Sequence, residues 1–108
     1  MRTHAEIDAR SLALARAVAA RIDADPARAG LEQARAVCRR WCDLGVRAAA
    51  DWRDLLAHAD WPDIRRALLD DSEEGRQRRQ NSPFCGILTP RERWALYREF
   101  QPHDPRAA

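Results

Sequence analysis

Apolar positions recur at steps of three and four along most of the chain and nowhere alternate with period two over the length of a strand. This pattern predicts helices and no sheet. Ile7, Ser11, Leu14, Ala15, Val18 and Ile22 make a first stripe, widened by Leu12 and Ala19. Thr3-His4-Ala5-Glu6 reads as a capping box at its start, the Thr hydroxyl and the Glu carboxylate each accepting from an amide that lacks a helical partner. The helix is expected to stop near Ala24, because Pro26 disfavours helical geometry at Asp25. Asp25-Pro26 then predicts a second start, with Asp as N-cap and Pro at the first helical position. Leu31, Ala34, Val37, Cys38 and Trp41 form the next stripe, with Arg35, Arg39 and Arg40 facing away. Gly30 sits where it can interrupt the first turn, and Gly45 is the natural C-terminal cap.

The spacing predicts a third helix over 46–58, with Ala49, Trp52, Leu55 and Leu56 on one face. Asp60-Trp61-Pro62-Asp63 starts a fourth, its acids suited to a helix N-terminus, and Trp61, Ile64, Ala67 and Leu68 supply its apolar face. That helix either ends around Asp71 or runs on through Gly75 into Arg76-Gln77-Arg78-Arg79, since Gly weakens a helix without forbidding it. Asn81-Ser82-Pro83-Phe84-Cys85-Gly86 breaks the period and reads as a loop, with Ile87-Leu88 the one apolar pair that fits a short extended piece. Thr89-Pro90-Arg91-Glu92 is a second capping box, opening a last helix whose Trp94, Leu96, Tyr97 and Phe100 face inward or toward a partner. The expected architecture is an all-α bundle of about five short helices in one domain over residues 1–100, followed by a frayed tail over 101–108.

Size agrees with this. A chain of 108 residues is long enough for one core and too short for two. Hydrophobic residues at 45% and charged residues at 33% are the balance of a folded chain. No run reaches the ~18 apolar residues a bilayer requires, and three cysteines form no even disulfide set, so a cytoplasmic protein with reduced thiols is expected.

Charge changes the picture by its distribution. All 19 basic residues are Arg, and the net charge is only +2. Residues 1–50 carry nine Arg and six acids, for +3; residues 51–74 carry three Arg and eight acids, for −5; residues 75–108 carry seven Arg and three acids, for +4. An acidic middle therefore precedes a basic end. The simple account is that neighbouring helices complement each other at exposed edges. The sharper account is that the basic end docks on an acidic partner or on phosphates.

Candidate chemistry is sparse. Cys38 and Cys42 are four apart on one helix face, and with Cys85 and His58 would complete four zinc ligands, but the spacing matches no strong ligand pattern. Cysteine packs readily as a small hydrophobe, so Cys38 is read first as core. His4, His58 and His103 occupy helix-end or tail positions and none reads as a general base. Asp60 with Asp63, Asp70 with Asp71, and Glu73 with Glu74 are accounted for by helix starts. No glycine-rich phosphate loop, G-x-S-x-G or H-E-x-x-H is present. No catalytic residue, cofactor site or metal site is assigned, and an enzyme using Cys38, Cys42 or Cys85 is the last of the readings.

The binding candidates lie in the basic end: Arg76, Arg78, Arg79, Asn81, Ser82, Phe84, Arg91, Arg93, Trp94, Tyr97 and Arg98. Four Trp is a high number for this length. Trp41, Trp52 and Trp61 fall on apolar stripes, whereas Trp94 and Tyr97 stand among arginines, the combination that usually anchors protein interfaces. The polar Gln80, Asn81 and Ser82 surround Phe84, whose simple role is to close the bottom of the bundle. The same arginines suit a phosphate backbone, so a DNA-binding, autoregulatory protein is the second reading; the helices around Gly45 fit a helix-turn-helix only loosely. A homodimer through Trp94 and Tyr97 is a third use of the surface.

The stretch from Ser72 to Trp94, with Ser72-Glu73-Glu74-Gly75-Arg76, Ser82-Pro83-Phe84-Cys85-Gly86 and Glu92-Arg93-Trp94, resembles the C-terminal block of small uncharacterised bacterial helical proteins. The opening Ile7-Asp8-Ala9-Arg10-Ser11-Leu12-Ala13-Leu14 is similar to their first helix. The resemblance covers about a third of the chain. It implies the small partner of an effector in a toxin–antitoxin or defence locus, an antitoxin-like regulator that binds and neutralises a cognate protein encoded nearby, and it supplies no catalytic residue.

Overall fold

The computed structural model describes residues 4–47 and 49–99. Among them are six helices and no strand: α1 (His4–Ala24), α2 (Ala29–Asp43), α3 (Ala49–His58), α4 (Trp61–Leu68), α5 (Glu73–Gln80) and α6 (Pro90–Glu99). The sixth helix arises because the chain breaks between Leu68 and Glu73. There Asp70 accepts from the Ser72 amide and hydroxyl at 2.9 and 2.8 Å, and Ser72 in turn accepts from the Gly75 amide at 3.2 Å. These bonds favour a fresh start at Ser72 over a continued helix. Thr3, Phe100, His103 and the tail over 101–108 lie outside the described residues, and with them one half of the first capping box.

Two boundaries differ from the sequence expectation for local reasons. Asp25 does not cap a helix that begins at Pro26. Its carboxylate accepts from Ala27 and Ala29 at 3.0 and 2.8 Å, holding a turn, and α2 begins only after Arg28, which takes a left-handed conformation at φ 50°. Gly45 does terminate α2. Its φ is 77°, and Gly45 and Val46 donate to Cys42 and Trp41 at 3.0 and 2.9 Å, the paired bonds of a Schellman cap. α3 therefore starts at Ala49 rather than Val46.

The core is assembled from one stripe per helix. α1 contributes Ala15, Val18, Ala19 and Ile22; α2 contributes Leu31, Ala34 and Cys38; α3 contributes Ala49, Trp52 and Leu56; α4 contributes Trp61, Ile64 and Leu68. The small residues of α1 allow close packing, and α2, α4, α5 and α6 all pack against it. Ile7, which opens the α1 stripe by spacing, lies beyond the core and is 43% exposed. The loop after α5 completes the interior with Pro83, Phe84, Ile87 and Leu88, in turns rather than an extended piece. α6 has no fully buried residue. It lies on the outside of the bundle, with Leu96 half-buried against the core.

Candidate functional site

The basic end divides into an interior half and an exterior half, and the division follows from where α5, the loop and α6 each point. α5 carries Arg79 inward. Its side chain is 2% exposed, its Nε donates to Ser11 Oγ at 3.3 Å, and its Nη1 donates to the carbonyls of Leu68, at 3.2 Å, and Asp70. Those carbonyls are at the C-terminal end of α4, where they lack helical donors, so the guanidinium serves as a side-chain cap. Burial pulls the Arg79 pKa below its ordinary value, against the opposing pull of Asp71, Asp70 and Asp8. Asp70 moves down as well, chiefly through the bond from the Ser72 amide. Arg76 stays exposed and pairs with Asp8 and Asp71, each at 3.6 Å. Arg78 is half-buried, and its carbonyl accepts from Trp52 Nε1 at 2.9 Å.

Phe84 is interior too. Its ring meets Trp52 edge-on at 5.5 Å, inside the core, and its amide donates to Ser82 Oγ at 3.2 Å. As the fold stands, neither Phe84 nor Arg79 offers a surface to a partner, while Asn81 remains exposed. Ser82, Phe84, Cys85 and Leu88 form one wall of a cavity of about 170 Å³. Ser11, Leu14, Ala15 and Val18 of α1 form another, and Leu68, Arg79, Arg93 and Tyr97 complete the lining of what is a half-open pocket. Five of the eleven candidates thus meet around one cavity: Arg79, Ser82, Phe84, Arg93 and Tyr97. The α1 residues opposite them were not among the candidates; a serine on an otherwise apolar stripe was the available signal.

α6 is held over this cavity from both ends. At its start Thr89 and Glu92 exchange bonds at 3.0 and 3.2 Å, completing the capping box. Arg21 of α1 grips the same Glu92 carboxylate with both Nη atoms, one at 2.9 Å. The Thr89 amide first, and then Arg21, hold the Glu92 pKa down at about 2. Arg93 Nη1 donates to the Cys85 carbonyl at 3.3 Å, and toward the other end the Arg10 guanidinium sits 4.6 Å over the Tyr97 ring. The opposite face is open. Trp94 is 61% exposed, edge-on to Tyr97 at 6.3 Å, and Arg91 and Arg98 are exposed one turn to either side. Neither arginine has an ion-pair partner among the described residues.

The Cys38 and Cys42 thiols are neighbours on α2, and Cys85 stands apart from them. Cys38 is buried, with its Sγ 3.5 Å from the Ala49 carbonyl and its pKa raised chiefly by burial; Cys42 is half-buried and Cys85 exposed on the distant loop. Among the described residues no group of three or more His, Cys, Asp or Glu is placed to hold a metal ion. No helix is long and apolar enough to cross a membrane among those residues.

No family model, curated protein or solved structure matches the chain.

Proposed function

We infer that the chain is a non-enzymatic protein-interaction module, antitoxin-like in that it binds and neutralises a cognate protein, and that the outer face of α6 is its docking surface. The observation that carries this reading is Trp94, a large aromatic side chain 61% exposed between two exposed arginines without ion-pair partners among the described residues. Exposed aromatics beside Arg are the usual anchors of binding energy, and burying one Trp in a partner's recess yields more than most other contacts. Arg91, Trp94 and Arg98 recur at steps of three and four, so a partner meets all three at once. The partner's matching surface is acidic with an apolar recess. A second copy of this chain fits less well, because a two-fold contact centred on Trp94 would bring like-charged arginines together.

The phosphate-backbone alternative has weaker support. Arg76 is paired with acids and Arg79 is buried, so the basic cluster of the sequence is not one continuous cationic face. α3, which would follow the turn of a helix-turn-helix, exposes Asp51 and Asp54 beside Arg53. The deciding experiment is co-expression with the product of the neighbouring gene. Wild-type protein is expected to copurify with that product and suppress its activity, and Trp94→Ala to lose both effects; no complex with the wild type and no change in activity would remove the reading.

A further inference from the structure

Two thiols share one helix face where α2 meets α3. Residues four apart on a helix stand over one another, and Cys38 and Cys42 both line a half-open pocket between these helices. Cys38 is buried, Cys42 is half-buried, and neither is in a disulfide. Arg35, Arg39 and Arg53 line the same pocket, with Asp43 its one acid. Burial first, and then the neighbouring Cys42 thiol, raises the Cys38 pKa, while Arg53 and Arg39 pull it down. The two sulfurs therefore feel one another, and two guanidinium groups are near enough to favour negative charge on them.

Thiolate sulfur is a soft donor that selects Cu(I), zinc or iron–sulfur clusters. Structural zinc takes four ligands and an iron–sulfur cluster four cysteines. Among the described residues no group of three or more His, Cys, Asp or Glu is placed to hold an ion, so two donors suit a cation that is satisfied by two sulfurs. Cu(I), a closed-shell soft ion that accepts linear coordination, is that cation. A metal–thiolate bond is about 2.3 Å long, so the ion needs sulfurs roughly 4.6 Å apart, within reach of side chains whose Cβ atoms are ~5–6 Å apart. One Cu(I) with two thiolates carries a net negative charge, which nearby cations stabilise. Arg39 is exposed without an ion-pair partner among the described residues, and exposed Arg53 meets Asp54 at 3.4 Å, leaving both free to turn toward the site.

We propose that Cys38 and Cys42 bind one Cu(I) ion as a bis-thiolate, with Arg39 and Arg53 offsetting its negative charge. Binding is an exchange of ligands without oxidation or reduction: two S–H bonds break, two Cu–S bonds form, and two protons pass to solvent. The site belongs to α2 and α3, and no α6 residue lines it, so it is independent of the docking role of Trp94.

The test is anaerobic titration of the reduced full chain with the coloured Cu(I)–bicinchoninate complex, whose bleaching reports transfer of the ion. Wild-type protein is expected to withdraw one Cu(I) per chain, and X-ray absorption at the copper edge to show two sulfur neighbours. Cys42→Ser, a near-isosteric change at a half-buried position, is expected to abolish the transfer while its circular dichroism stays that of the wild type. Cys85→Ser is expected to bind as the wild type does. The double variant Arg39→Gln/Arg53→Gln alters only exposed side chains, so its fold is not at issue; it is expected to keep the stoichiometry and weaken Cu(I) by about threefold or more, as loss of two nearby charges requires. No transfer to the wild type would overturn the proposal, as would transfer that survives in Cys42→Ser or disappears in Cys85→Ser. A copper shell of three or more sulfurs, or an arginine double variant that binds as tightly as the wild type, would overturn it equally.

Discussion

Replacing Gly75 by Ala is expected to destabilise the protein, although the same change in an ordinary exposed helix stabilises it by about 1 kcal/mol. Gly75 lies in the first turn of α5, where the chain doubles back on the end of α4. A Cβ there would overlap the Asp70 carbonyl oxygen and stand 2.7 Å from both the carbonyl carbon and Cβ of Asp70. The obstacle is backbone, so no rotamer change relieves it. Asp70 can retreat only by moving the carbonyl that accepts from Arg79, which weakens a charge-assisted bond in the interior. Overpacking of this kind costs about 1–3 kcal/mol, and loss of a hydrogen bond to a charged group about 1.5–3 kcal/mol. Set against the gain in helix propensity, the net loss is about 2–4 kcal/mol, a fall in Tm of roughly 10–25 °C for a domain of this size. Urea and thermal unfolding of the variant measure it directly. Gly30→Ala is the control, because its Cβ would press on Ile22 Cγ1 at 2.9 Å and Ile87 Cδ1 at 3.3 Å, both in side chains that can shift. A Gly75→Ala protein as stable as the wild type, or more so, would refute the close approach of α5 to the Asp70 carbonyl.

Four other outcomes are expected. Glu92 has its folded pKa depressed from 4.5 to about 2, so its contribution is complete above pH 4.5 and is lost as the pH falls toward 2; the stability gap between wild type and Glu92→Gln, measured by urea unfolding, narrows over that window, and a gap independent of pH would contradict the assignment. Trp52→Phe leaves the Arg78 carbonyl without its indole donor and opens space beside Phe84, at a cost of about 2–3 kcal/mol, read from the urea midpoint. Trp94→Ala, by contrast, is expected to change stability by no more than about 0.5 kcal/mol while removing partner binding, so a large loss of stability would place the ring inside the fold. Alkylation by iodoacetamide, with mass spectrometry as the readout, is expected to modify exposed Cys85 first and buried Cys38 last, and early modification of Cys38 would place that thiol at the surface.

Local chemistry was legible in the sequence wherever a structural choice depended on residues a few positions apart. The 3.6-residue period identified Ala15, Val18, Trp52, Ile64 and Leu68 as interior positions, because a helix places residues three and four apart on one face whatever it packs against. The cap at Gly45 and the exchange between Thr89 and Glu92 were equally readable, since each satisfies amides or carbonyls within a single turn. Asp25-Pro26 misled for the same reason inverted: a turn closed by Asp25 uses the same residues as a helix start, and the left-handed backbone of Arg28 settles the choice in favour of the turn.

The tertiary structure decided the fate of the basic end. Nothing in the order of Arg76, Arg78 and Arg79 distinguishes the one that is buried; Arg79 goes inside because the end of α4 presents two carbonyls at the spot α5 reaches. Ser11 becomes a cavity residue because a loop far along the chain folds over it, a pairing no local pattern encodes. Gly75 reads as a mere weakness in a helix until the Asp70 backbone is seen against it. Periodicity and capping are properties of one segment, and so a sequence displays them; which cation is buried, which ring is left outside and where space remains are properties of how segments meet, and only the packed chain determines them.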